Sequence, residues 1–245
     1  MFYIVRNQKS NLEIGIHVKE RPKIPAPEFR YEEIEIPGRS GTLIQESGLV
    51  DDLKIEVVFN FAAKPDLWME QFREAKKWLL AREDDQLVLS DDLEMFYKVK
   101  HTSVDTAERY VKTLGEFSVT FLCEGFQYRR DGQYEHTIEE VKYNPYYLSQ
   151  PVYKIRGNGT CELKVNGKSM ITEVQGNLTI DTERMLAYNE SGVLKNTMVT
   201  GNYEDLLLME MENTISCSMG FDLSIISKLE VFYNDPDIFT GKHEL

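Results

Sequence analysis

The chain has 245 residues, and its 41 acidic side chains outnumber 28 basic ones for a formal net charge of −13. With 42% hydrophobic residues it can bury the core of one large domain or of two smaller ones. The charge argues against a stable grip on nucleic acid, which needs clustered Lys and Arg, and no apolar run approaches the ~18 residues that span a bilayer.

The opening "MFYIVRNQKS" has a short apolar stretch and then turns polar. Without a basic leader and a long apolar stretch it does not read as a secretory signal. "LEIGIHV" places Leu12, Ile14, Ile16 and Val18 at period 2, which predicts a half-buried strand. "EEIEIPGRSGTL" (Glu32 to Leu43) reads as an alternating half-buried stretch, a turn over Gly38, Arg39, Ser40 and Gly41, and a resumed extended run. An arginine at the tip of a glycine-flanked turn, in a chain this acidic, is a candidate to pair with a carboxylate at an assembly contact. Gly38, Arg39 and Gly41 are therefore the candidate structural or assembly turn.

"LKIEVVFNF" sets Leu53, Ile55, Val57, Phe59 and Phe61 on one strand face, and "EFSVTFLC" does the same with Phe117, Val119, Phe121 and Cys123. Between them, residues 65–82 place Trp68, Phe72, Ala75 and Leu79 at helical spacing. Pro65 and Asp66 suit the first turn, and Lys76, Lys77 and Arg82 crowd the last. This predicts one amphipathic helix whose aromatic stripe faces a core.

From Tyr128 to Gln150 the chain is polar and aromatic with little period. It reads as a strand end plus linker and puts a boundary near residue 137. The expected domains are 1–136, β-rich with the one helix, and 137–245, a β-sandwich. In the second, "GNGT" (Gly157 to Thr160), Asn166-Gly167 and Gly176-Asn177 read as turns, and Asn166-Gly167 is a type I′ hairpin signal. The fold class is mainly β throughout.

No catalytic constellation emerges. The paired carboxylates Asp51-Asp52, Asp84-Asp85, Asp91-Asp92 and Glu139-Glu140 point opposite ways on a strand and suit turns and solvated faces better than glycosidase geometry. The histidines 17, 101, 136 and 243 show no ligand spacing, so no metal site is expected. There is no GxSxG and no phosphate-binding glycine motif, so no cofactor is expected either. Cys123, Cys161 and Cys217 form no CxxC and read as reduced structural thiols. A sugar could stack on Tyr146, Tyr147, Tyr153, Tyr188 or Tyr203, with nothing ranking these above core or linker roles.

The order of these features resembles one family. "RPKIPAPEFRYEEIEIPGRSGTL", "LVDDLKIEVVFNF", a helix ending "AKKWLL", "DQLVLSDDLEMFYKV" and "GEFSVTFLCEGF" follow one another as in the N-terminal domain of phage distal tail proteins, the Dit family of long-tailed, non-contractile phages and prophages. "QPVYKIRGNGTCELKVNG" with "GNLTIDTERMLAY" looks like that family's galectin-like C-terminal domain. The likeness covers about residues 12–126 well and 150–235 more loosely, and the final segment 234–245 departs from it.

The resemblance implies a structural hub rather than an enzyme: a hexameric ring at the distal end of the tail tube, with a central channel for DNA. It implies as partners further copies of the chain, the tail tube protein, the tail-associated tip protein and receptor-binding proteins, and neither stable nucleic-acid nor membrane binding. The expected location is the virion tail tip, after assembly in the host cytoplasm. The alternative is a carbohydrate-binding adhesion module that recognises a host cell-wall glycan.

Overall fold

The computed structural model describes residues 1–231 except 39, 139, 140, 146 and 147. The chain divides into two units, Met1–Gln127 and Tyr128–Leu245, the division falling somewhat before residue 137.

The N-terminal unit begins with β1 (Ile4–Arg6), β2 (Lys9–Ser10) and β3 (His17–Val18), followed by β4 (Phe29–Glu35), β5 (Thr42–Val50) and β6 (Leu53–Ala62). Helix α1 (Trp68–Leu80) leads to β7 (Gln86–Leu89), β8 (Asp92–Val104), β9 (Glu108–Val111) and β10 (Leu114–Arg129). One antiparallel sheet runs β2-β1-β7-β8-β10-β6-β3, β9 pairs with β10, and β4 and β5 pair only with each other.

The core follows from two alternating strands in register. Phe59 opposes Phe117, Val57 opposes Val119, Ile55 opposes Phe121 and Leu53 opposes Cys123, and all eight side chains are buried. Such pairs are the unit of sheet stabilisation. Trp68, Phe72, Ala75 and Leu79 of α1 close over this face, as their spacing predicts. Phe117 stacks on Phe59 at 5.6 Å between ring centroids and meets Phe72 edge-on at 5.1 Å, while Phe61 lies 5.2 Å from Trp68. Gly115 is what allows this approach, since a Cβ there would sit 2.5 Å from the Phe61 ring and 2.8 Å from Trp68.

The C-terminal unit holds β11 (His136–Thr137), β12 (Val141–Asn144), β13 (Val152–Val165) and β14 (Lys168–Asp181). After these come β15 (Leu186–Tyr188), β16 (Val199–Thr200), β17 (Met211–Cys217) and β18 (Asp222–Ile226). Its antiparallel strands run β11-β18-β13-β14-β15 and curl into a sandwich-like fold, with β16 on β14 and with β17 between β12 and β13. No α-helix occurs among its described residues. The β13–β14 hairpin closes at Asn166-Gly167 with φ of 51° and 81°, the left-handed pair that a type I′ turn requires.

Several local expectations change. "LEIGIHV" is mostly turn, with only His17 and Val18 extended. Asn11 Nδ2 donates to Ile16 O, and Asn11 Oδ1 accepts from Ile4 N, both at 2.8 Å, so a buried side chain replaces the ladder. "GNGT" and Gly176-Asn177 lie inside β13 and β14, where Gly157 faces Gly176 across the ladder. The supposed linker contains short strands, β11 and β12. Finally, the stretch before Pro37 is extended but not half-buried, because every residue of β4 is exposed.

Candidate functional site

The β4–β5 arm carries several exposed large apolar side chains. Its register pairs Ile34 with Leu43 and Glu33 with Ile44. Cross-strand partners share a face and neighbours along a strand alternate, so each face of the ribbon carries an aliphatic. Tyr31 is 58% exposed, Ile44 60% and Leu49 56%; Ile34, Ile36 and Leu43 are exposed as well. A lone two-stranded ribbon is marginal in water; here the face of Ile34 and Leu43 is the more apolar one, while Ile44 and Tyr31 share theirs with Glu33, Glu35 and Thr42.

The arm is anchored at its root. Asp51 N donates to Glu28 O at 2.9 Å, Arg30 pairs with Asp51, and Lys100 pairs with Asp52 at 2.9 Å. Gly125 of β10 makes room, since a Cβ there would lie 2.4 Å from Val50 and 2.6 Å from the Asp51 carbonyl. The arm tip holds Gly38 at φ 83° and Gly41 at φ 84°, both in the left-handed region and with open space around each. Arg39 lies outside the described residues.

The carboxylate pairs fall in or at the edges of connections. Asp51-Asp52 stand at the arm root, Asp84-Asp85 after α1, and Asp91-Asp92 at the β7–β8 turn, where Asp92 opens β8, while Glu139-Glu140 lie outside the described residues. Asp84 accepts from the buried Arg6 guanidinium at 3.1 Å. Burial pulls the Arg6 pKa down against the pull of Asp84 and Asp85. This pair belongs to a structural staple, because Trp78 Nε1 donates to Arg6 O at 2.7 Å and Asn7 Nδ2 donates to Trp78 O at 2.6 Å. Beside it an open cavity of about 670 Å³ is lined by Arg82, Asp84, Asp85, Lys100 and His101 among others. Positive and negative groups neutralise one another there.

Among the described residues no cluster of three or more His, Cys, Asp or Glu could hold a metal ion. His17 and His136 lie on short strands, His101 lines the cavity on β8, and His243 lies outside the described residues. The structure does not bring the three together. Of the tyrosines considered for sugar stacking, Tyr153 is fully buried with its hydroxyl on Leu206 O at 2.8 Å, and Tyr188 and Tyr203 are half-buried. Tyr146 and Tyr147 lie outside the described residues. An aromatic that does line an open cleft is Phe221, which sequence reasoning passed over because it sits in an unpatterned connection between β17 and β18.

No protein-family model and no curated protein matches the chain. Among solved structures the chain is similar to the Dit protein of phage SPP1, whose structure is described as a paradigm of hub adsorption apparatus in Gram-positive infecting phages. The two share 12% sequence identity with a TM-score of 0.68. The match covers 92% of this chain and 98% of that one. The fold suggested by the order of sequence motifs, a Dit-like one, is therefore the fold observed.

Proposed function

We propose that this protein is a structural hub of a phage tail tip. The observation that carries the reading is a fold match that runs through both units and nearly the whole length of a hub adsorption protein. Six copies would form a ring at the distal end of the tail tube, leaving a channel for DNA and joining the tube to the tail-associated tip protein and receptor-binding proteins. The work is architectural rather than catalytic, and its place is the virion tail tip, reached after assembly in the host cytoplasm.

The arm supports self-assembly. Its exposed apolar groups (Tyr31, Ile34, Leu43, Ile44 and Leu49) need cover, and further copies of the same chain supply it without another component. The net charge of −13 suits a channel lining that does not hold passing DNA. In this reading the Gly38 and Gly41 turn shapes the arm tip, and Arg39 is offered to a carboxylate of a neighbouring copy.

Native mass spectrometry at two concentrations tests the reading. A species near 171 kDa (six chains of 28.5 kDa) is expected, growing with concentration. Ile34→Asp and Ile44→Asp, each on one face of the arm, should each shift the population to single chains without lowering the melting temperature. A 28.5 kDa species at both concentrations would count against an autonomous ring.

A further inference from the structure

In the C-terminal unit the ladder between β13 and β17 ends at a cysteine. Val165 faces Ile215 and Leu163 faces Cys217, all four on the core side of the sheet. Cys161 stands two residues before Leu163 on β13 and is buried on that same face. A regular strand would set residue 219 across from it. Instead Ser218 makes the last bonds to β13, donating from its amide to Glu162 O at 3.1 Å and accepting from Glu162 N on its Oγ at 2.9 Å. Met219 then turns away and is 98% exposed. Cys217 fills the place beside Cys161 diagonally.

The two thiols meet there. The Cys161 S–H donates to Cys217 Sγ, and the Cys217 S–H donates to Phe221 O at 3.8 Å. The contact makes the pair unequal. Burial pushes the Cys161 thiol up to about 11; burial raises Cys217 as well, but the bond accepted from Cys161 favours the Cys217 thiolate. Cys217 is also the more open member. It is half-buried and lines the cleft of about 640 Å³ that forms where β17 and β18 part along β13. The pair thus has one member placed to attack a small reagent and a second, buried beside it, placed to resolve the product.

We propose that Cys161 and Cys217 form a reversible dithiol, which a low-molecular-weight disulfide entering the cleft oxidises to an intrachain disulfide. The Cys217 thiolate attacks one sulfur of the reagent and forms a mixed disulfide, and the departing thiolate takes up the proton that Cys217 released. Cys161 then gives up its proton and attacks the Cys217 sulfur, expelling the second reagent thiol. Two protein thiols are oxidised and one reagent disulfide is reduced to two thiols. The bond needs Cβ atoms about 3.5–4.5 Å apart, nearer than a regular sheet diagonal. Cys217 is the last residue of β17, so the strand end draws in while the pairs at Leu163–Val165 stay in register. Closure ties that end to β13 beside the connection that carries Phe221. On the hub reading, the pair stays reduced in the host cytoplasm and closes once the virion is outside; the chemistry itself needs only one chain.

The test exposes the reduced full chain, without denaturant, to hydroxyethyl disulfide, a neutral reagent suited to an acidic protein. The intact mass should fall by two hydrogens with no adduct retained, and proteolysis should yield two peptides joined through Cys161 and Cys217. The rate should rise about tenfold from about pH 7 to about pH 8, because the attacking thiolate is the minor form there. Cys161→Ser should stop at the Cys217 mixed disulfide, Cys217→Ser should form no bond, and Cys123→Ala should close as the native chain does. If the buried Cys161→Ser does not fold, Cys217→Ser and Cys123→Ala carry the same reading. Three results overturn the proposal: no intrachain bond without denaturant, a bond that joins Cys123 or two copies, or a rate that does not rise with pH. Native mass spectra of the reduced chain report assembly separately, so failure here is distinguishable from failure of the hub reading.

Discussion

Gly115 and Gly38 show how differently one residue type can act at single positions. At Gly115 the backbone is ordinary and the space is full, with Phe61 and Trp68 pressing on the missing side chain. Gly115→Ala should cost ~1–3 kcal/mol by overpacking, measured by denaturant unfolding. A neutral result would mean that the helix can lift from the sheet without loss. At Gly38 the space is open and the cost of a side chain lies in φ, so its substitution strains the turn but touches nothing. The thiols are graded by depth in the same manner. Burial pushes the Cys123 pKa up to about 12 and that of Cys161 up to about 11, while half-buried Cys217 is also raised by burial. Since the thiolate is the reactive form, maleimide at about pH 8 should modify Cys217 first and Cys123 last, with all three reacting in denaturant. Mass spectrometry of the labelled chain gives the order, and early labelling of Cys123 would contradict its place in the core.

At the scale of elements, the arm is an addition to the N-terminal core rather than a part of it. Its strands pair only with each other, and the chain enters and leaves through one anchored root at Glu28 and Asp51. Replacing residues 31–49, which leaves the Arg30, Val50 and Asp51 root in place, with a short Gly-Ser linker should therefore leave the melting temperature within ~1 °C while abolishing the high-mass species. A large loss of stability would show instead that the arm folds back on its own unit. The helix and the two core strands were legible in the sequence, because periods of 3.6 and 2 with unbroken apolar faces admit one burial pattern each. The arm was legible as strand–turn–strand and was misjudged only in burial. Alternating Glu and Ile in β4 specifies an extended chain, but it cannot say whether the Ile face has a partner within the chain. "LEIGIHV" misled for the converse reason, since Asn11 supplies by side chain the bonds that a strand partner would give. The Phe221 cleft had no sequence signal, because it arises where β17 and β18 part along β13, a matter of long-range pairing.

At the scale of the whole molecule, charge and apolar area oppose each other. Each chain brings a formal charge of −13, so the proposed ring of six would concentrate like charge around one axis. The exposed groups on the arm are aliphatic and aromatic, and their burial does not weaken with salt. Raising ionic strength from about 0.05 M to about 0.5 M shortens the screening length from ~14 Å to ~4 Å, which removes most of the repulsion between neighbours. Assembly should therefore strengthen with salt, seen by sedimentation as a larger fraction of the fast species at fixed protein concentration. Dissociation on adding salt would locate the binding energy in ion pairs between chains. Arg39, with a carboxylate of the neighbouring copy, would then be the first pair to test by Arg39→Ala.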